Sequence, residues 1–458
     1  MQIIILGAGR TGGSLAASLV NEHSITLVDE NDSVLEQLQS QYDLRTIQGY
    51  GAYPKVLQEA GADRADMLIA AADNDESNIL ACWVAQTVFK IPIKIAQIRS
   101  ADYFLSNNQF FTEYSPVDYF INPANLITHT IHHLIEYPGA LRIFDFGGEA
   151  VKLVATKPSI NSPLLGKQAT VLPEIVAIYR HNQEQPVSLT TIEINDDIIF
   201  LAESHKVAAI LNVICPTETH AQKHKRVMII GGGLIGELLA EKLEHDHQVK
   251  IIEQNVERCE LLGRRLKNTL ILHGNGCDAG LLRNEEVENI DCFCALTNSD
   301  SDNIVGSLYS KQLNAKQVIA LINREAYLNL IFSGYIHVDI AISPQQITVS
   351  AILKHLRDAQ IIQAYSLRQG AAEALEIMVN QAASVEGCTI QALNLPEAVR
   401  IIGLIRNDRL LYPQPDTVIQ YHDRVLVFIS NKKYIHLVES LFTANQQNRA
   451  TGSQNKHD

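Results

Sequence analysis

Twice along this chain, short apolar runs alternate with stretches whose apolar residues recur at helical spacing. In the first copy, Gln2 to Leu6, Ile25 to Val28, Arg45 to Ile47, Met67 to Ala71 and Ile93 to Ile98 predict strands. Between them, Thr11 to Asn21, Asp32 to Tyr42, Tyr53 to Ala60 and Glu76 to Phe89 predict helices. Strands that alternate with helices require a parallel, doubly wound α/β sheet, and right-handed crossovers bring the carboxyl ends of its strands to one crevice. After about residue 140 the texture changes to short β-branched runs with turn signals, clearest at Ala150 to Ala155, Ile175 to Tyr179 and Ile198 to Ala202. Glu373 to Val379, Arg400 to Ile405 and Arg424 to Ile429 repeat that change in matching order.

The pattern recurs because the sequence does. Ile3 to Gly13 reads IIILGAGRTGG and Val227 to Glu237 reads VMIIGGGLIGE, so Gly7, Gly9 and Gly12 align with Gly231, Gly233 and Gly236. Asp29 and Glu253 then stand at equal distances from their first glycines. Gly49 and Gly51 align with Gly274 and Gly276, NDESNI (Asn74 to Ile79) with SDSDNI (Ser299 to Ile304), and Arg99 with Arg324. INP (Ile121 to Pro123) aligns with ISP (Ile342 to Pro344), and Pro173-Glu174 with Pro396-Glu397. The chain is a tandem duplication. Each half predicts a doubly wound domain followed by a smaller β-rich α+β domain, with divisions at 1–140, 141–223, 224–365 and 366–446 and a polar tail over 447–458. The basic run Lys223 to Arg226 is expected to be a linker, and Asn445 to Asp458 to be disordered.

Composition narrows the function. At 458 residues the chain exceeds one core, and 46% hydrophobic with 19% charged residues suits packed α/β domains. A formal net charge of −14 makes a nucleic-acid partner a poor expectation. No apolar run approaches the ~18 residues that cross a bilayer; the longest candidate, Val227 to Gly236, is broken by glycines. The opening MQIIILGAGR lacks the basic region and cleavage site of a signal peptide, so a cytoplasmic location is expected. Seven cysteines without a C-x-x-C pair agree. Cys292 and Cys294 would share one strand face as buried thiols rather than a metal pair. His129, His132 and His133 share a helix face, read as solvated because no acidic or Cys partner stands at ligand spacing.

The glycine loops carry the chemistry. Each follows an apolar strand and opens a helix, and an acid ends the next strand, which is the context that makes G-x-G-x-x-G informative. The first glycine permits a tight turn, the second lets main chain approach phosphate, and the third lets helix and strand pack closely. Unpaired amides and the partial positive charge of the helix N-terminus stabilise a pyrophosphate there. Gly7, Ala8, Gly9, Arg10, Thr11 and Gly12 form the first loop; Gly231, Gly233, Leu234, Ile235 and Gly236 form the second. Asp29 and Glu253 would accept ribose hydroxyls and repel a 2′-phosphate, favouring NAD-like or adenine nucleotides over NADP. The bland alternative is an architectural glycine turn with a degenerate site. Arg10 against Leu234 predicts sites of differing preference. Arg99 and Arg324 near the crevice could hold a phosphate or an interface salt bridge. The acids around Asp73, Asp75, Glu76, Asp300 and Asp302 are read mainly as helix caps, with cation binding the weaker reading. Helix Glu76 to Phe89, apolar nearly all round and carrying Trp83, is expected to be buried within one subunit or between subunits.

These features together resemble the regulator of potassium conductance (RCK) family over Met1 to Leu441. The resemblance rests on the two glycine loops with their acids, on QGYGAYPKVLQEAGADRADMLIAAADNDESN (Gln48 to Asn78), and on AQIRSADY (Ala96 to Tyr103). It implies an N-terminal and a C-terminal RCK subdomain in each half and a tetrameric ring docked beneath a membrane potassium-translocating subunit. It also implies NAD(H) and ATP or ADP on the Rossmann units, held by the loop glycines with Asp29, Asp73 and Arg99, and with Glu253, Asn298 and Arg324. Tyr50-Gly51 and Thr297-Asn298 depart from the family pattern. The competing reading, an NAD-dependent oxidoreductase, would need a substrate domain with a positioned acid or base. The β-rich segments are small for that, and their His and Lys residues do not recur; Asn407 stands near the place matching His181. A regulator of another cation transporter would share every motif.

Overall fold

The computed structural model describes residues 1–100, 103, 115–181, 183–216, 224–356, 361–367, 372–381 and 383–442. Ala101, Asp102, Lys223 and the tail from Asn445 to Asp458 lie outside them. Strands β1 (Gln2–Leu6), β2 (Ser24–Asp29), β3 (Arg45–Gln48), β4 (Met67–Ala70), β5 (Ile93–Gln97) and β6 (Tyr119–Ile121) form a parallel sheet in the order β3-β2-β1-β4-β5-β6. Helices α1 (Arg10–Leu19), α2 (Asp32–Gln41), α3 (Pro54–Glu59) and α4 (Asp75–Val84) cover it. The order reverses between β1 and β4, so a crevice opens there at the carboxyl ends of the strands. Ile4, Leu6, Leu68 and Ala70 are buried on one face and Ile3, Ile5, Met67 and Ile69 on the other, which is why these strands read as unbroken apolar runs.

Helix α5 (Pro123–Glu136) leads to β7 (Ala140–Phe146), β8 (Val151–Thr156), β9 (Ile175–Arg180), β10 (Gln183–Gln185), β11 (Asp197–Glu203) and α6 (Ser204–Ile214). This antiparallel sheet is ordered β10-β9-β11-β8-β7. The second half repeats both units. Its parallel sheet contains β12 (Arg226–Ile230), β13 (Gln248–Glu253), β14 (Leu270–His273), β15 (Cys292–Ala295), β16 (Gln317–Leu321) and β17 (Ile340–Ile342). Its helices are α7 (Leu234–Leu243), α8 (Val256–Arg265), α9 (Ala279–Asn284), α10 (Asp300–Gln312), α11 (Glu325–Phe332) and α12 (Pro344–Leu353). The second antiparallel sheet holds β18 (Ile361–Leu367), β19 (Ala372–Met378), β20 (Val399–Arg406), β21 (Arg409–Leu411) and β22 (Arg424–Ile429), followed by α13 (Ile435–Phe442).

Four expectations need correction. The sixth strand of each parallel sheet, β6 and β17, spans three residues and is too short to show a periodicity. Strand β18 pairs with β19, so the expected division at 365/366 cuts a strand, and the second small sheet begins upstream of it. The helix expected over Glu76 to Phe89 is α-helical only to Val84 and widens into a π turn over Ala85–Phe89. The basic run before β12 is no loose linker: the buried Lys225 ammonium donates to the carbonyls of Ile135 (2.6 Å) and Glu136 (3.2 Å). Terminal helix carbonyls lack intrahelical donors, and a lysine satisfies them.

The halves are exchanged across their crossover helices. Helix α5 of the first half packs on α7 of the second, and α12 of the second packs on α1 of the first, where Val349 and Ile352 join the core beside Leu15 and Ala16. The two antiparallel sheets share a core in which Phe146, Leu153 and Leu201 meet Leu367, Leu426 and Phe428. Polar contacts cross the same boundary: Tyr365 Oη donates to the Asp145 carbonyl (2.9 Å) and Tyr412 Oη to the Leu201 carbonyl (3.0 Å).

Candidate nucleotide sites in the paired glycine loops

In the first loop two glycines are demanded by packing and one is not. Gly7 lies at φ +93°, and a Cβ there would stand 2.8 Å from Ala72 Cα. A Cβ at Gly12 would stand 1.8 Å from the Gly7 carbonyl oxygen. At Gly9, by contrast, nothing lies within 4 Å. Gly9 is the N-cap of α1 at φ −63° and ψ −170°, and no side chain caps this helix. Its first amides therefore face the crevice beside an open patch of main chain, which is the surface a pyrophosphate needs. Asp29 closes the loop from the tip of β2: Oδ2 accepts from the Ala8 amide (2.6 Å) and Oδ1 from the Asn31 amide (2.8 Å). Each oxygen keeps a second lone pair for a ribose hydroxyl.

The second loop repeats this arrangement. Gly231 lies at φ +98°, a Cβ at Gly236 would approach the Gly231 oxygen to 2.1 Å, and Gly233 again meets nothing within 4 Å. Glu253 reaches as far as Asp29 does: Oε2 accepts from Gly232 N (2.7 Å) and Oε1 from Asn255 N (2.8 Å). The longer side chain explains an additional glycine. Where Ala8 fits in the first copy, a Cβ at Gly232 would stand 2.5 Å from Leu262 Cδ1 and within 3.3 Å of Glu253. Arg258, which the sequence did not single out, donates from Nε to the Gly232 carbonyl (2.6 Å) and from Nη2 to Glu237. Burial opposes ionisation of Glu237, but hydrogen bonds from Arg265 and Arg258 outweigh it and hold the carboxyl below its usual range.

The crevice rim is built by a buried asparagine in each copy. Asn78 Nδ2 donates to the carbonyls of Ala72 (3.0 Å) and Gln97 (2.9 Å), and its Oδ1 accepts from Ala72 N (3.0 Å), locking the ends of β4 and β5 together. Asn303 does the same with Thr297 (2.9 Å) and Leu321 (2.8 Å). The shared NI in NDESNI and SDSDNI was the available signal. Capping does not account for the neighbouring acids as expected. The caps are Asn74 and Ser299. Asp75 accepts from the amides of Arg99 (2.9 Å) and Ser100 (2.8 Å), and Asp300 from those of Asn323 and Arg324 (both 2.9 Å), so these carboxylates pin the loops after β5 and β16. Arg99 also pairs with Asp73 (Nη2 to Oδ1, 2.8 Å). Asn298 removes that charge from the second copy, and Arg324 makes no ion pair among the described residues. At the loops, Arg10 and Leu234 are exposed, Thr11 and Ile235 half-buried and Ala8 buried.

Other candidates fall into place. Cys292 and Cys294 lie on one face of β15, free and buried with sulfurs 3.7 Å apart, and their mutual contact and burial push the Cys292 thiol well up. His181 (φ +48°) and Asn407 (φ +52°) occupy matching left-handed turn positions, so the histidine has a conformational role there. Trp83 is 37% exposed with Leu80 and Val88 beside it, and Val305, Leu308 and Tyr309 repeat the exposed face on α10; burial within one subunit is therefore wrong for this face. The reading of His129, His132 and His133 as a solvated face is also wrong. His133 is buried, and Asp145 and Glu149 from the β7–β8 hairpin come up against it and His129.

Two glycine-loop parallel sheets, each followed by a small antiparallel sheet and joined in one chain, define a tandem protein of RCK units. The crystal structure of the GsuK RCK domain superposes with TM-score 0.60 at 17% identity, covering 96% of this chain and 94% of that one. The GsuK channel bound to NAD superposes with TM-score 0.60 at 16% identity, covering 96% and 79%. The TrkA-N domain model matches residues 3–123 and 227–344, and the TrkA-C domain model matches 375–442. The chain is 42% identical to the Trk system potassium uptake protein TrkA of Halomonas elongata, covering 96% of this chain and 98% of that protein. It is 41% identical to that of Vibrio alginolyticus over the same shares. The chain belongs to the TrkA family of Trk potassium uptake proteins.

Proposed function

We propose that this protein is a nucleotide-sensing regulatory subunit that gates a membrane potassium uptake system of Trk type. NAD(H) and ATP or ADP are its ligands, bound at the Gly7–Gly12 loop with Asp29, Asp73 and Arg99, and at the Gly231–Gly236 loop with Glu253, Asn298 and Arg324. The observation that carries this reading is the pair of uncapped helix N-termini, each beside a glycine whose outer face is open and a carboxylate fixed to the loop. Support comes from the GsuK channel, a protein of the same fold, which has been solved bound to NAD.

Four copies assemble into a ring on the cytoplasmic face of the membrane, against the potassium-translocating subunit, and the exposed faces around Trp83 and Tyr309 supply apolar surface for that assembly. The pore is supplied by a membrane partner, and no described helix of this chain is long and apolar enough to cross a bilayer. The units divide near 140, 223, 360 and 446. Nucleotides act by binding one ring geometry more tightly than another. The protein acts as a regulator and not as a dehydrogenase, in keeping with relatives named for potassium uptake.

Calorimetry with NADH, ATP and ADP tests the sensing step, and heat from none of them would remove it. A pull-down from solubilised membranes tests the partner, with recovery of a potassium-translocating subunit expected. Sustained NADH production from NAD and a panel of hydroxy acids would favour the oxidoreductase instead.

A further inference from the structure

We propose that His129, His133 and Glu149 form a binding site for a first-row divalent transition-metal ion of the zinc type, tying the first crossover helix to the hairpin of the small sheet. The three side chains place one donor atom each within 4.8 Å of one another. His129 and His133 lie one helical turn apart on α5, so both imidazoles project from one face; their ring centroids are 4.1 Å apart. Glu149 arrives from the turn between β7 and β8, where Gly147, Gly148 and Glu149 all lie at positive φ, the last at +75°. Its Oε1 stands 3.5 Å from His129 Nε2. Two donors on a tetrahedral zinc ion, each about 2.0–2.1 Å from it, stand about 3.3 Å apart, so this pair already has near-coordinating separation.

A second observation points the same way. Asp145 Oδ2 lies 3.2 Å from His133 Nδ1, and Asp145 is itself held by the Lys152 ammonium. A carboxylate that accepts Nδ1–H fixes the tautomer and leaves Nε2 with its lone pair free to ligate, the usual outer arrangement around a ligating histidine.

The charges facing the cluster are Asp145 and Glu149 against Lys152, already paired, and Lys242 from α7. An incoming dication therefore meets near balance and not a positive wall. The cluster lines a cleft of about 1180 Å³ between the halves, which gives an entry path. The arrangement is not a by-product of the repeated fold. In the second half, Ser350 on α12 and Lys354 just past its end occupy the places that match His129 and His133. Two imidazoles with one carboxylate suit zinc, cobalt or iron(II) and leave a coordination position open, whereas calcium and magnesium require more oxygen donors.

The test uses the full-length chain stripped with chelator and titrated calorimetrically with zinc alone. One zinc per chain is expected, insensitive to excess magnesium or calcium, and cobalt should give a d–d absorption band. His129→Ala and Glu149→Gln should each remove the band and weaken zinc at least tenfold, Asp145→Asn should weaken it about 10- to 100-fold, and His273→Ala, exposed on β14 and outside the cleft lining, should change nothing. Glu149 and His129 are partly exposed, so these variants keep the test valid even where a change at the buried His133 impairs folding. Zinc affinity and stoichiometry unchanged in both His129→Ala and Glu149→Gln, or displacement of zinc by equimolar calcium, would overturn the site.

Discussion

The two outer glycines of each loop and the middle one should respond oppositely to the same added methyl group. At Gly9 the backbone, φ −63° and ψ −170°, is one that alanine adopts freely, and a Cβ meets nothing within 4 Å. Gly9→Ala should therefore leave stability unchanged or raise it by about 0.4–1 kcal/mol through reduced freedom of the unfolded chain. The methyl group would occupy the surface where main-chain amides must come within about 2.9 Å of phosphate oxygens. Losing two charge-assisted hydrogen bonds at about 1.5–3 kcal/mol each amounts to about 3–6 kcal/mol, a fall in affinity of at least ~100-fold. Gly12→Ala must instead place a Cβ only 1.8 Å from a carbonyl oxygen, and the backbone displacement that relieves this costs about 3 kcal/mol or more, so it should damage the fold itself. Gly233→Ala and Gly236→Ala should split in the same way. Calorimetric titration with NADH and ATP, alongside urea denaturation, separates the two effects. If the Gly9→Ala, Gly233→Ala double variant folds normally and binds both nucleotides within threefold of the parent, the open main-chain face is not where the ligand sits.

Asp29→Ala and Glu253→Ala should each weaken nucleotide binding about tenfold or more by removing a charged acceptor; unchanged affinity in both, measured by the same titrations, would refute that role. Asn303→Ala strips three fixed backbone groups of their buried partner and should cost about 2–4 kcal/mol in urea denaturation, with nucleotide binding failing only as the rim loosens. Burial, with Lys242 nearby, lowers His132 to about 4, and burial beside Lys354 does the same to His355. The unfolded chain takes these protons near pH ~6.5, so between about 4 and 6.5 it binds more protons than the folded chain, and stability should fall as pH is lowered through that window. Equal urea midpoints at about pH 7 and pH 5 would contradict this, and His132→Leu should flatten the slope. Trp83, the sole tryptophan, should emit at shorter wavelength in the assembled ring than in dilute monomer, and an emission maximum independent of concentration through dissociation would exclude its face from the interface.

Much of this architecture is legible in the residues because parallel strands buried on both faces must be apolar throughout, and because the duplication states every element twice. The glycine loops were readable for the same reason: Gly7 and Gly12 are required by contacts closer than any side chain allows. What escaped were features whose cause lies far along the chain. Lys225 reads as one of four basic residues, and only the fold brings it to the end of α5. Glu136 stands at helical spacing from His133 but pairs with His247, and the carboxylate that holds His133, Asp145, comes from the next strand. Asp75 and Asp300 look like helix caps by position, yet the amides they bind lie beyond the following strand.

The two nucleotide sites also differ in a way that neither loop alone reveals. In the first, an exposed Arg10 stands at the loop while Arg99 is drawn towards Asp73. In the second, Leu234 removes the loop cation, Asn298 removes the acid, and Arg324 is left without an ionic partner among the described residues. Among the described residues, Arg10 in the first copy and Arg324 in the second thus make no ion pair, one at the glycine loop and the other after the fifth strand. A ligand whose charge is concentrated at a terminal phosphate and one whose charge is central, as in a dinucleotide, meet these cations at different distances. Helix α1, whose N-terminus faces the first site, packs on α12 of the other half, and α7 packs on α5. On the proposed function, displacement of either glycine-loop helix would bear on the opposite half's crossover helix, next to small sheets whose cores are shared. On that proposal, a difference in ligand between the two loops would therefore displace the two halves unequally, which a single Rossmann unit could not do.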